Sequence, residues 1–333
     1  MKQFMKGLEK QFICACRDGN IEEVKSLLNN PLIKVDCRNS FEETPFFGAC
    51  RLGNLEIVKL LMNDERVDIN ECEESNFTPL FIACKNGHLE IVNLLLHDER
   101  IDPDIINLQE KDDNQTPFSV ACENGHTEIV KLLLNDKRVE INIDIGTQNY
   151  TPLHLACQYG HVDVAKILLN YFDINGTGQN DTINVTPLYI ASYYAKVEIV
   201  KLLLNDEKID VNKIDGYRRT PFYIACWYGY FEVVKCILAS RKEVDLSIKD
   251  FDEKTALDNV KEENDNNYDD DEMEDMEDME DMEEEERWKR KELIKERKQN
   301  CVKIAELMES FERNPSETKA RLRIEVGFAG NLI

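Results

Sequence analysis

A Thr-Pro pair recurs through most of the chain at a nearly constant spacing, and it constrains the fold more than any other feature. Successive pairs are separated by 34, 38, 35, 35 and 34 residues, and they begin at Thr44, Thr78, Thr116, Thr151, Thr186 and Thr220. A degenerate copy, Thr255-Ala256, follows 35 residues later, and an N-terminal copy lacks Thr-Pro but keeps Ala15-Cys16, Gly19 and Glu22. A fixed period of this length indicates a row of repeated structural units.

The best-preserved copy, residues 151–169, shows why such a unit needs neighbours. Thr151 can cap a first helix, and Pro152 is tolerated at its first position because the missing N–H would have no partner there. Gly160 allows a tight turn, and the second helix that follows is apolar on nearly all sides. Each helix spans about ten residues, which is too short to be stable alone in water. We therefore predict an all-α stack in which adjacent units bury each other's helices.

This copy reads TPLHLACQYGHVDVAKILL and resembles the ankyrin repeat, whose pattern is Thr-Pro-Leu-His-x-Ala-Ala, then Gly-His, then an apolar helix. The resemblance covers roughly residues 10–261 and returns near residue 300. It implies a solenoid of about seven helix-turn-helix units with protruding loops. We assign residues 1–261 to the repeat array, 262–286 to an acidic insertion, and 287–333 to a charged helix, the end of a capping repeat and a tail.

The capping repeat is predicted to be split by the acidic insertion. Its first helix would begin at Thr255, and its second would use an apolar face after the insertion, formed by Cys301, Ile304, Ala305, Met308 and Phe311. Asn314-Pro315 can start one more short helix, with Asn as the cap.

Two kinds of connection depart from the ankyrin pattern. An Asn-Asp-x-Arg/Lys-x-Asp-x-Asn motif follows the second helices, as at 63–70 and 205–212, and it is one residue longer than the usual Gly-containing loop. The sequence therefore does not fix which residue is the C-cap of the second helix, although Asn can adopt the left-handed conformation that ends many helices. Residues 102–115 form a longer excursion, which Pro103 and its charges predict to be an exposed loop.

Cysteine and histidine recur at fixed repeat positions, which favours packing over chemistry. Equivalent cysteines lie about one repeat apart, farther than the roughly 7 Å between Cα atoms that a disulfide allows, and zinc-type C-x2-C pairs are absent. Cys157 and His161 have the spacing of a nucleophile and its base, but each matches a repeat position. We therefore expect no catalytic residues, no metal and no cofactor. The shared cysteine position holds Cys16, Cys50, Cys84, Cys122, Cys157 and Cys226, with Ser192 in the remaining copy.

The resemblance implies that a partner protein binds in a concave groove, which is lined by the first helices and by the loop tips before each Thr-Pro. The two residues after each Ala-Cys are polar in the first repeats, from Arg17-Asp18 to Glu123-Asn124, and aromatic in the later ones. Tyr, Trp and Arg dominate interface energetics because they bury large areas with few rotatable bonds. The predicted partner-binding residues are Tyr150, Tyr159, Tyr193, Tyr194, Tyr217, Arg218, Arg219, Trp227 and Tyr228.

Two alternatives stay open for this surface. The rings could instead pack against neighbouring repeats. In addition, Ala195-Lys196 replaces Gly-His, which predicts a distorted turn that would direct Tyr193 and Tyr194 elsewhere.

The charge of the chain is concentrated in one segment. Net charge is −25, and residues 262–286 contain seventeen Asp or Glu and no Lys or Arg. Such charge density predicts disorder, serving either as a spacer or as an attractor of basic proteins. The basic stretch 287–298 could pair with this run or act as a nuclear-import signal. Acidity of this degree argues against nucleic acid as a partner.

The function predicted from these features is a protein–protein interaction scaffold or adaptor, not an enzyme. The alternatives are an acidic-loop sequestering factor or chaperone for basic proteins, and an enzyme, for which no motif is visible. We expect a monomer in the cytoplasm or the nucleus, without membrane association. No signal peptide and no run of about 18 apolar residues is present, and eleven cysteines suit a reducing compartment.

Overall fold

The computed structural model describes residues 2–143, 145–146, 150–177, 184–265 and 284–328. The described residues are helical or in loops, apart from two isolated bridges, Ile145 with Tyr150 and Lys249 with Thr255. The chain divides into two compact units, Met1–Leu168 and Leu169–Ile333, which are described separately below.

The first unit contains, within its described residues, α1 (Lys2–Asp18), α2 (Ile21–Leu28), α3 (Pro45–Leu52), α4 (Leu55–Met62), α5 (Pro79–Lys85), α6 (Leu89–His97), α7 (Pro103–Ile106), α8 (Pro117–Glu123), α9 (Thr127–Asn135), α10 (Pro152–Tyr159) and α11 (Val162–Leu168). The first helices α1, α3, α5, α8 and α10 pack in sequence, and the second helices α2, α4, α6, α9 and α11 form a parallel row. This is the stacking that short apolar helices require.

The second unit contains, within its described residues, α12 (Pro187–Tyr193), α13 (Val197–Leu204), α14 (Pro221–Trp227), α15 (Phe231–Ala239), α16 (Ala256–Asp265), α17 (Glu284–Arg313) and α18 (Pro315–Glu325). Here α12, α14 and α16 pack in one row, and α13, α15 and α17 pack in the other. Of the helices in the described ranges, none is long and apolar enough to cross a membrane.

The recurring threonines cap the first helices as predicted. The Oγ1 of Thr78 accepts a hydrogen bond from the amide of Phe81 at 3.0 Å, and Thr220 does the same for Tyr223 at 3.0 Å. In the best-preserved copy the Thr151 hydroxyl instead lies 2.8 Å from Nδ1 of His154. The cysteine after each alanine is buried, which agrees with its predicted role in packing.

The long loop motif bonds each repeat to the one before it and to the one after it. The Arg66 guanidinium pairs with Asp64 at 2.6 Å and also donates to the carbonyl of Leu28 at 3.0 Å, at the end of the preceding second helix. Asn70 donates to the carbonyl of Arg100 at 2.8 Å, in the following loop. The helix does not close through a left-handed asparagine, because its C-cap residues Asn63 and Asn205 have φ of −77° and −78°.

The excursion at 102–115 is exposed at Pro103 and at most of its charged residues, as predicted, but it is more ordered than a simple loop. It begins with the short helix α7, whose Ile106 is buried. Glu110 is also buried, and its carboxylate accepts hydrogen bonds from the amides of Asp112 and Asp113, both at 2.7 Å. A buried carboxylate bonded to several amides fixes the turn around it.

The last repeat is split as expected, with α16 as its first helix and the C-terminal part of α17 as its second. Cys301, Ile304 and Met308 of α17 are buried as predicted, and Leu307 is buried with them. Residues 262–265 belong to α16 and residues 284–286 to α17, so these ends of the predicted disordered insertion are helical. The rest of the insertion, 266–283, lies outside the described residues.

The additional helix α18 begins at Pro315 and closes the C-terminal end of α15. Asn314 caps α18 by accepting from the amide of Glu317 at 3.4 Å, in agreement with the prediction. Lys319 donates to the carbonyl of Lys242 at 2.8 Å, and Arg323 donates to the carbonyl of Ala239, the last residue of α15, at 3.2 Å. Basic side chains suit this position because the carbonyls at a helix C-terminus carry partial negative charge.

Candidate partner-binding surface

Two of the nine predicted binding residues lie in the first unit. Tyr159, at the end of α10, keeps 45% of its surface exposed and stacks on His161 with ring centroids 6.4 Å apart. Tyr150 is half-buried and stacks on His154 at 5.5 Å. Tyr150 therefore packs largely on its own repeat, whereas Tyr159 presents a ring to solvent.

The second unit brings four of the predicted residues to the ends of two adjacent first helices. Tyr193 is the last residue of α12 and Tyr194 follows it, and Trp227 and Tyr228 have the same places at the end of α14; we name these four residues the aromatic cluster. The ring centroid of Tyr193 lies 4.9 Å from that of Tyr194 and 5.1 Å from that of Tyr228, both in edge-to-face geometry. Tyr193, Tyr194 and Trp227 nevertheless retain 36–40% exposure. The three tyrosine rings thus pack on one another, Trp227 stacks on the buried Tyr223 at 6.1 Å, and part of each exposed ring remains accessible.

The turn after α12 is regular, so the predicted distortion was wrong. Ala195 takes the left-handed conformation with φ of 52°, and the amide of Lys196 donates to the carbonyl of Ala191 at 2.8 Å. The amide of His88 makes the equivalent bond at 3.0 Å in the first unit. An alanine can replace glycine here at a modest conformational cost. Because the turn is kept, Tyr193 and Tyr194 stay at the surface.

Sequence reasoning missed Tyr230, which extends the cluster. Its ring stacks on Tyr228 at 5.7 Å with an interplanar angle of 16°. Tyr230 occupies the repeat position that holds His88 and His126 in the first unit, where the consensus has histidine after glycine. The departure from that consensus was the signal that could have identified it.

The environment keeps the phenols of the cluster neutral. Burial, and then a hydrogen bond with Tyr193, raise the pKa of Tyr228 to about 12. Burial also raises the pKa of Tyr194 and of Tyr230, with Tyr193 as a further cause in each case. Near neutral pH the phenols of Tyr194, Tyr228 and Tyr230 are therefore uncharged, and their hydroxyl groups can both donate and accept hydrogen bonds.

The loop tip that carries three predicted residues is built around buried Asp215. Its carboxylate accepts hydrogen bonds from the Tyr189 hydroxyl at 2.8 Å and from Arg219 Nη2 at 2.7 Å, and it also accepts from the amide of Tyr217 at 2.9 Å. The Arg219 guanidinium lies 4.6 Å from the centre of the Tyr217 ring. Arg219 therefore holds the loop, and Tyr217 is the side chain that the loop presents.

The next loop repeats this construction and adds an aromatic ring that sequence reasoning missed. Asp250 accepts from the Tyr223 hydroxyl and from the amides of Asp252 and Lys254, both at 3.0 Å. Phe251 at its tip is 63% exposed and lies 6.5 Å from the ring of Tyr217, which is 53% exposed.

The remaining predicted residue, Arg218, is the charged member of these loop tips. It has φ of 63° and lies 3.8 Å from the carboxylate of Glu253 in the next loop. An ion pair as exposed as this one contributes little stability, so Arg218 is available to a partner.

The thiols and imidazoles are placed for packing. Burial raises the pKa of the Cys157 thiol well above its usual range, which disfavours the thiolate that a nucleophile needs. Nε2 of His161 hydrogen-bonds to the carbonyl of Glu123 at 2.7 Å. Within the described ranges, no group of three or more His, Cys, Asp or Glu residues could hold a metal ion.

Comparison with known proteins agrees with the repeat structure. The family profile for ankyrin repeats (three copies) matches residues 12–107, 104–178 and 175–250. The crystal structure of the human ASB11 ankyrin repeat domain is similar with a TM-score of 0.55 and 26% identity, over 65% of this chain and 91% of that one. No curated protein matches the sequence.

These matches confirm the predicted all-α repeat fold. Ankyrin repeats are generally protein–protein interaction modules, and proteins built from them are typically non-catalytic binding scaffolds. Because the profile covers more than half of the 333 residues, the chain belongs to the ankyrin repeat family.

Proposed function

We propose that this chain is a scaffold or adaptor whose partner protein docks on the aromatic cluster and on the loop tips that carry Tyr217 and Phe251. The observation that carries the proposal is that Tyr193, Tyr194 and Trp227 keep 36–40% exposure although neighbouring residues position their rings. Contiguous exposed aromatic surface usually marks a binding site.

The construction of the surface favours tight binding. Rings held by one another and loops held by Asp215 and Asp250 lose little conformational freedom when a partner arrives. The neutral phenols add hydrogen-bonding groups around an apolar centre, which is the usual composition of interface hot spots. Tyr159, Tyr150 and Arg218 remain predicted contributors.

The proposal is tested by truncating two rings of the cluster. The partner is first captured with the intact chain and identified, and its Kd is then measured by calorimetry with purified proteins. Tyr194→Ala combined with Trp227→Ala should weaken binding by about 2–4 kcal/mol in total, because each ring is expected to be a hot spot. The far-UV circular dichroism should be unchanged, because both rings are partly exposed.

A matched control is Tyr171→Ala, which removes a tyrosine that is 50% exposed in the same unit but lies outside the proposed surface. Its Kd should equal that of the wild-type chain. If the double variant binds the partner with wild-type affinity, the assignment of the surface is wrong.

The cysteines support a reducing location, as in the cytoplasm or the nucleus. All eleven are free thiols, and all except Cys14 and Cys72 are buried. Cysteines that build the repeat core as thiols suit a compartment that keeps them reduced.

A further inference from the structure

A cavity of about 230 Å³ lies between the last complete repeat and the split cap, and Trp227, which is 40% exposed, is one of its lining residues. We infer that this cavity receives an arginine or lysine side chain from a basic segment of the partner. The inference rests on the proposed function, because it assigns a chemistry to the partner of the same surface. The charged groups that line the cavity are Asp252, Lys254, Glu262, Glu263 and Arg297.

The Arg297 side chain is held in place by contacts within the protein and forms one side of the cavity. It donates from Nη2 to the carbonyl of Trp227 at 2.8 Å, and Nη1 lies 3.3 Å from the Glu263 carboxylate. Its Cγ packs over Gly229, 3.1 Å from where a Cβ would lie. His126 has the same relation to Gly87 in the first unit, with Nε2 3.0 Å from the carbonyl of Lys85. Arg297 thus substitutes for the repeat histidine and is not free to move.

Two other carboxylates are available to an incoming cation. Asp252 is exposed, and its carboxylate has no ion pair or hydrogen bond among the described residues. Within the part of the chain that the structure describes, Glu262 pairs with Lys254 alone, and both side chains are at least 40% exposed. Because an exposed pair of this kind contributes little, a second cation can share or replace Lys254 at low cost.

The combination of ring and carboxylates selects a cation over other occupants. Tryptophan is the ring that binds Lys and Arg most favourably through its face. The charges of Glu263 and Arg297 cancel because the two side chains form an ion pair. The other charged lining residues are two carboxylates, Asp252 and Glu262, and one ammonium group, Lys254, so the lining carries a net negative charge. An apolar or acidic occupant would desolvate this surplus negative charge without pairing it. An arginine side chain pairs the carboxylates and stacks on the ring at once.

The charge of the whole chain acts in the same direction at longer range. The net charge is −25, and the sequence from Glu262 to Glu286 contains only acidic charges. A field of this sign attracts a basic segment and speeds its association, whereas the short-range contacts at Trp227 decide its position.

The test uses the full chain with Trp288→Phe, which leaves Trp227 as the sole tryptophan. The probe is a blocked nonapeptide with three arginines separated by glycines, and its comparison replaces each arginine with citrulline, a neutral group of the same shape. The arginine peptide should change Trp227 emission saturably, and the citrulline peptide should bind at least about tenfold more weakly. Equal binding of both peptides would overturn the inference.

A pair of charge variants separates a site from a general field. Asp252→Asn with Glu262→Gln should raise the Kd of the arginine peptide about five- to tenfold, because both short-range partners are lost. The control, Glu198→Gln with Glu207→Gln, removes the same charge from exposed positions on and after α13 and should change the Kd less than twofold. Equal weakening by both pairs would show field attraction only and would refute the pocket.

Failure here differs from failure of the proposed function. If the citrulline peptide binds as well as the arginine peptide while loss of Tyr194 and Trp227 still weakens the captured partner, the surface stands and the basic chemistry is wrong. If the captured partner binds the Tyr194→Ala, Trp227→Ala variant with wild-type affinity, the assignment of the binding surface is wrong.

Discussion

Gly87 is required by a contact between neighbouring repeats, and replacing it with alanine should be costly for two separable reasons. Gly87 has φ of +78°, and an added Cβ would lie 2.6 Å from Cε1 and 2.8 Å from Nδ1 of His126. The alanine would therefore adopt a left-handed conformation that costs about 1–2 kcal/mol. It would also push away the ring whose Nε2 hydrogen-bonds to the Lys85 carbonyl at 3.0 Å, which removes about 1 kcal/mol more.

The two terms separate in a double-mutant cycle. Gly87→Ala alone should lower the free energy of unfolding by about 2–3 kcal/mol. In a His126→Ala background the ring is absent, so the same change should cost only the conformational term of about 1–2 kcal/mol. The predicted coupling between the two positions is therefore about 1 kcal/mol.

The assay is urea unfolding followed by circular dichroism at equal protein concentration for the wild-type chain and the three variants. The dependence on urea must be the same in all four proteins for the midpoints to be compared. A coupling near zero would mean that backbone conformation alone explains this glycine and that the contact with His126 is incidental. A Gly87→Ala variant as stable as wild type would refute the whole account.

Two further predictions concern the aromatic cluster. Ala195→Gly should raise the free energy of unfolding by about 0.5–1 kcal/mol, because it relieves a φ of 52° at some cost in unfolded-state entropy; a loss of stability in urea unfolding would contradict this. Because the pKa of Tyr228 is raised to about 12, the folded state favours the neutral phenol, so its stabilising contribution is complete below about pH 10 and is lost as pH rises to about 12. Tyr228→Phe should reduce that loss of stability, and an identical pH profile in both proteins would show that this group is not responsible.

The repeat fold could be predicted because its causes are local and repeated. A threonine that caps a helix, a proline at the first position and an apolar second helix each act within about twenty residues, and the chain restates them in every unit. The split cap could also be predicted, because the apolar residues that include Cys301 and Met308 recur at helical spacing. The acidic insertion before them does not change that spacing.

The features that were missed depend on contacts between repeats. The turn at Ala195 was predicted to be distorted because glycine and histidine are adjacent in the consensus. In the structure, however, the histidine of the following repeat lies over the glycine in three of the turns, at Gly53, Gly87 and Gly125. The identity of Lys196 therefore does not determine which side chain packs over Ala195. In those three turns the packing side chain comes from the following repeat, and the sequence pattern of a single repeat does not show this contact. The sequence also did not reveal that Arg219 pairs with the buried Asp215 in its own loop, because the burial of that aspartate is recognisable only in three dimensions; Arg219 stays a predicted contact residue.

Tyrosine has two opposite roles in the second unit, and position within the repeat decides between them. Tyr189 and Tyr223, three residues after the capping threonine, are buried, and their hydroxyls donate to the carboxylates of Asp215 and Asp250 in the next loops. Burial, with the nearby carboxylate, raises the pKa of both, so they remain hydrogen-bond donors that hold loops in place. Tyr193, only four residues after Tyr189, turns its ring to solvent at the end of the same helix. Aromatic content alone therefore cannot locate a binding surface in a repeat protein. The proposed surface consists of rings at the exposed ends of the first helices, whereas the buried tyrosines hold the neighbouring loops.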